Sequence, residues 1–179
     1  MRLRHFLSAV LLTSISLAAH ADSLIGSTID VRYAFPTTST TLTDSGPLTV
    51  TPGLPIVSGG NANLTFTSGT EITVTNPGLG PFTSDAFNGF EVGILSGATI
   101  EDVVLDPLSD PALATGTVIT FSADNIFINL EGTCSSCGAG DQSIILDVTS
   151  SSVTPEPSSI ALLGTGLLGA VGVFRKRFM

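Results

Sequence analysis

The sequence predicts an all-β fold over residues 22–153, an antiparallel β-sandwich of jelly-roll-like type. Three observations point there. Apolar and polar residues alternate with a period of two in run after run. Turn-forming residues interrupt these runs at short spacing. Between the two chain ends, no stretch repeats its apolar residues at helical spacing with caps. A period of two puts alternate side chains on opposite faces of a half-buried strand. A parallel sheet needs crossover helices, and this segment has no room for them.

The runs follow in order. Ile29-Asp30-Val31-Arg32-Tyr33 alternates cleanly. Residues 35–62 are richer in Thr and Pro and read as a long loop or an edge region. Asn63 to Thr67, Glu71 to Thr75 and Phe90 to Ile94 keep the period. Thr99 to Asp106 and Thr117 to Ser122 read as strands, as do Ile126 to Glu131 and Ile144 to Val148. β-Branched residues dominate these runs, which suits a pleated, half-buried surface. Breakers stand between them: Ser45-Gly46-Pro47, Gly59-Gly60, Ser68-Gly69, the span 76–81, Asn88-Gly89, Ser96-Gly97, the span 107–111 and the span 132–140. Eight to ten strands result. The expected core is Val, Ile and Leu with Phe35, Phe66, Phe82, Phe87, Phe90, Phe121 and Phe127.

Charge is distributed unevenly. The chain has 179 residues, fifteen acids and six bases, for a formal charge of −9. Five of the bases lie near the ends: Arg2, Arg4, Arg175, Lys176 and Arg177. Residues 22–154 hold fourteen acids against one base, Arg32, a formal charge of −13. An acidic surface excludes a nucleic-acid binder, because phosphate needs cations.

The first 21 residues read as a secretory signal. Arg2 and Arg4 form a positive start, and Phe6 to Ala18 an apolar run. Ala19-His20-Ala21 is a small-x-small cleavage site. The run of about 13 residues is short of the roughly 20 that a membrane span needs. Cleavage after Ala21 by signal peptidase, following Sec export, places the domain where disulfides persist.

The last residues, 154–179, read as a second address. Thr154 precedes Pro155-Glu156-Pro157, an uncharged Leu- and Gly-rich stretch follows, and Arg175-Lys176-Arg177 closes it. As a helix, residues 158–174 would cross the inner membrane once. The apolar core from Ile160 to Phe174 is about 22 Å long against a hydrocarbon layer of about 30 Å. Flanking serines and snorkelling basic stems cover the difference. The basic cluster stays cytoplasmic. The two prolines fix φ and remove two backbone donors, so the triplet is extended and exposed.

These three parts, in this order, resemble the PEP-CTERM sorting signal of Gram-negative bacteria. The resemblance implies recognition by an exosortase, a membrane-embedded enzyme similar to cysteine transpeptidases. It further implies processing near Pro155-Glu156-Pro157, then a place on the cell surface or in an extracellular matrix beside exopolysaccharide. The span from Phe87 to Asp147 also looks like ectodomains that recur with such tails, a likeness that assigns no activity.

The domain's residue types exclude much chemistry. With both histidines, His5 and His20, in the signal segment, no Ser-His-Asp triad or His-ligated zinc remains. Without lysine before the tail, Schiff-base and Ser-Lys mechanisms are excluded too. A glycosidase built on paired carboxylates is left as a minor alternative. Cys134-Ser135-Ser136-Cys137 reads as a local disulfide stiffening a hairpin loop, since a redox motif would need a helix start. Asp102, Asp106 and Asp110, with Glu101, are a weak calcium candidate. Carboxylates suit Ca²⁺, but no repeat-type or EF-hand loop accompanies them. Asn63-Leu64-Thr65 fits a glycosylation acceptor but falls on a strand. No cofactor is expected. The domain is read as non-catalytic, a structural or matrix protein. A carbohydrate-binding module is the alternative, weakened by a single Tyr and no Trp.

Overall fold

The computed structural model describes residues 23–152, apart from 54, 55, 79, 136 and 138–140. The signal segment 1–21 and the sorting tail lie outside the described residues. Ten strands and one helical turn appear in order: β1 (Thr28–Ala34), β2 (Thr41–Thr49), β3 (Ile56–Gly59), β4 (Ala62–Phe66) and β5 (Glu71–Asn76). Then come β6 (Gly89–Ser96), β7 (Ala98–Leu105), α1 (Pro111–Ala114), β8 (Val118–Phe121), β9 (Asn125–Asn129) and β10 (Gln142–Ser152).

The strands make two five-stranded sheets, ordered β2-β1-β6-β9-β8 and β3-β4-β5-β10-β7, with every pairing antiparallel. Register carries the alternation across each sheet. In the first, Tyr33 lies opposite Phe90 and Phe90 opposite Ile128. Val31, Val92 and Ile126 form the next row. In the second, Leu64, Val74 and Ile144 align, as do Phe66, Ile72 and Leu146. All these side chains are buried and belong to one hydrophobic cluster that draws on both sheets. The rings of Tyr33 and Phe90 meet edge-on, with centroids 5.1 Å apart. Where β6 crosses β9, the backbones approach closely. A Cβ on Gly89 would overlap the Ile128 carbonyl oxygen, so only glycine fits there.

Three sequence expectations change. Residues 35–62 are not one loop, because they supply β2 and β3. Both are edge strands, one in each sheet, and β2 is exposed or half-exposed along its whole length. The segment read as a breaker at 107–111 opens a helical turn. Asp110 caps it, its Oδ1 accepting from the Ala112 amide at 2.8 Å. The phenylalanine set also divides. Phe66, Phe82, Phe87 and Phe90 are buried, whereas Phe121 is 42% exposed on the edge strand β8. Phe127 packs its ring on Phe87 at 6.4 Å.

Candidate functional site

The fold has two poles. β1, β6 and β10 each have one end at a common pole, because Thr28 pairs with Ser96 and Ser152 pairs with Ala98. We call this the basal pole. The turns of residues 67–70, 95–98 and 122–124 gather there, with the start of the described chain. Hydrogen bonds tie them together: the Leu24 amide donates to Gly69 O at 2.6 Å, and Val148 to Thr70 O at 2.8 Å. The Ile100 amide donates to Ala123 O at 2.9 Å. Gly97 lies so close to Ser27 that an added Cβ would stand 2.9 Å from its Cα.

β10 is an interior strand of the second sheet. It pairs with β5 over residues 142–147 and with β7 over 146–152. Its buried positions, Ile144, Leu146, Val148 and Ser150, alternate to the last described residues. The chain therefore leaves the sheet at Ser152 still in strand register, from the basal pole.

The outer face of the first sheet carries the one base of the domain. Arg32 donates from Nε and Nη2 to Asp30 Oδ2 at 3.0 and 2.8 Å. Asp44 lies 3.6 Å from the same Nε, and Glu91 is opposite in register. The Asp30 hydrogen bonds, then its charge, raise the Arg32 pKa. The Gly46 amide, donating to Asp44 Oδ1 at 2.8 Å, is the main cause that holds the Asp44 carboxyl below its ordinary value. A cleft of about 210 Å³ runs past Asp30, Arg32, Glu91, Asp124 and Asn125.

At the other pole a shallow cleft of about 170 Å³ lies between Tyr33, Phe35, Leu42, Asn61, Phe82 and Asn88. The Tyr33 hydroxyl is inside the protein and donates to Asn88 Oδ1. Burial pushes its pKa up to about 12.

The sequence candidates fall in separate places. Asp102, Asp106 and Asp110 do not converge. Each accepts from a nearby backbone amide, of Val103, Leu108 and Ala112 respectively. Among the described residues no group of three or more His, Cys, Asp or Glu side chains could hold a metal ion. Cys134 and Cys137 form a disulfide, but the loop around it is not a hairpin loop. β9 and β10, which flank it, belong to different sheets, so the loop carries the chain from one layer to the other. Cys134 sits in the left-handed region at φ 64°, uncommon for a residue with a Cβ. The Asn76 amide donates to its sulfur at 3.4 Å. Asn63, of the glycosylation-like triplet, lies on β4 and accepts from the Ser58 hydroxyl at 2.6 Å.

What leaves the basal pole decides the matter. Residues 153–177 match the PEP-CTERM protein-sorting motif. The chain carries a PEP-CTERM sorting motif. It marks an exported protein, sorted to the cell surface or beyond, whose processing partner is an exosortase. The motif begins at the residue after β10 ends. No curated protein and no solved structure matches the chain. The sorting triplet Pro155-Glu156-Pro157, the span 158–174, the basic cluster Arg175-Lys176-Arg177 and the cleavage-site residues Ala19 and Ala21 lie outside the described residues. No helix among the described residues is long and apolar enough to cross a membrane.

Proposed function

We propose that the chain is the precursor of a non-catalytic cell-surface or extracellular-matrix protein that works beside exopolysaccharide. Export by the Sec machinery ends with signal peptidase cutting after Ala21. The helix 158–174 then holds the protein briefly in the inner membrane, with Arg175, Lys176 and Arg177 inside. Exosortase acts near Pro155-Glu156-Pro157 and sends the acidic domain outward. The domain is read as a β-sandwich ectodomain with jelly-roll-like wiring.

The observation that carries this reading is the position of the sorting motif directly after a complete, interior last strand. Processing in the motif leaves every strand of the domain intact. The exopolysaccharide association rests on the resemblance of the tail alone. A glycan-binding role has less support, because the domain's one tyrosine is 3% exposed and offers no stacking face. The acidic surface keeps the released protein soluble.

The test is the mass of the protein recovered from cells that make it. In the wild type, residues 1–21 and Phe178-Met179 are absent. A Pro155→Ala/Glu156→Ala/Pro157→Ala variant keeps its C-terminus and accumulates in the membrane fraction. Persistence of Met179 in the wild type at steady state overturns the reading.

A further inference from the structure

We propose that the basal pole is a docking face for the processing exosortase. The inference rests on the function proposed above and adds a surface to it. Its basis is the junction between fold and motif. Ser152 is hydrogen-bonded in register with Ala98, and the triplet starts at Pro155. Three peptide steps reach at most about 11 Å, even fully extended. A membrane-embedded enzyme working on the triplet therefore meets the folded domain at that distance. The face it meets is the basal pole.

The composition of that pole fits such a contact. Its segments are 23–27, 50–53, 67–70, 95–98, 122–124 and 150–152. Together they hold one charged side chain, Asp124, in a domain with fourteen acids. The loops of the opposite pole carry Asp85, Asp106, Asp110, Glu131 and Asp141. Interface centres are depleted in charge, because a buried carboxylate loses hydration that an imperfect partner does not return. Two exposed apolar residues flank the exit, Ile25 at 48% and Leu95 at 55%. Small Ser, Gly and Thr side chains fill the remaining turns, which allows close approach. The occupant proposed is the exosortase itself, because the length and exit point of the tail bring that enzyme here.

The experiment follows tail loss in a pulse–chase in the producing cells, with the full chain. One variant places charge on the basal pole, Thr51→Asp/Ser96→Asp/Ala123→Asp. All three positions are exposed. A control places three charges opposite, Thr38→Asp/Ser84→Asp/Ala86→Asp, also at exposed positions. A third variant adds ten Gly/Ser residues after Ser152 to the basal variant, a flexible tether of about 17 Å. Basal charges should slow tail loss several-fold, the control should match the wild type, and the tether should restore the rate. Equal melting temperatures show that the variants fold. Tail loss at the wild-type rate despite basal charges overturns the proposal, and so does a tether that restores nothing. If the wild type itself keeps its tail, the function proposed above has failed, which is a separate outcome.

Discussion

Tyr33 shows how a single residue reports on this fold. It is the chain's one tyrosine, edge-on to Phe90, with its hydroxyl donating inward to Asn88. Its pKa is raised to about 12 by burial, from about 10 in an unfolded chain. The folded state thus favours the neutral phenol. That stabilisation is complete below pH about 10 and is lost as pH rises towards about 12. Residues 22–152 contain no Lys and no His, so few other side chains titrate in that window. We expect a melting temperature that is flat from pH 8 to about 10 and then falls. Ultraviolet titration of the phenolate should show ionisation coinciding with unfolding. Tyr33→Phe should abolish the alkaline fall and cost about 1–2 kcal/mol at neutral pH, by orphaning the Asn88 oxygen. A phenolate that ionises at its free pKa with the fold intact overturns this account.

At the scale of elements, the loop from β9 to β10 separates what sequence can and cannot specify. The disulfide closes only four residues, Cys134 to Cys137. Loop-closure entropy assigns such a short ring about 2 kcal/mol. Cys134→Ser/Cys137→Ser should lower stability by about that amount and leave the sheets formed, as denaturant melts with an unchanged m-value would show. A loss of all cooperative unfolding would mean that the loop nucleates the layer crossing. Two cysteines in an exported segment can be read from sequence, and so can the strands beside them. Which sheet each strand joins cannot, because alternation reports facing and not partnership. That is why the loop read as a hairpin loop and proved to be a crossing. β1, β4, β5, β6, β9 and β10 were legible because each has one buried face. β2 was not: it is an edge strand with Thr, Ser, Gly and Pro, and it buries neither face. Its pairing with β1 is set by backbone hydrogen bonds, with register shifts near Asp30 and Tyr33, and no side-chain pattern announces these. Likewise the sorting motif was legible as residues, whereas its abutment on an interior strand needed the sheet order. The spacing of Asp102, Asp106 and Asp110 was legible but misleading, because each carboxylate serves its own turn.

For the whole molecule the governing quantity is charge. Residues 22–152 carry fourteen carboxylates and one guanidinium, −13 in all. The one guanidinium is already paired with Asp30 and lies near Asp44. Its attraction is local and weakened by salt, and its side chain is 42% exposed, so it contributes little. Repulsion among the other carboxylates acts over the whole surface and opposes compactness. The Debye length falls from about 30 Å at 0.01 M salt to about 10 Å at 0.1 M. That change screens pairs across the domain while leaving contacts of a few ångströms largely intact. Screened repulsion therefore outweighs the weakened ion pair. A protein of residues 22–152, which retains all ten strands, should melt at a higher temperature in 0.1 M than in 0.01 M sodium chloride at pH 7. Arg32→Gln should steepen that salt dependence, because it removes the only internal cation. A melting temperature that is flat or falls with added salt would mean that paired charges, and not self-repulsion, set the stability of this acidic domain.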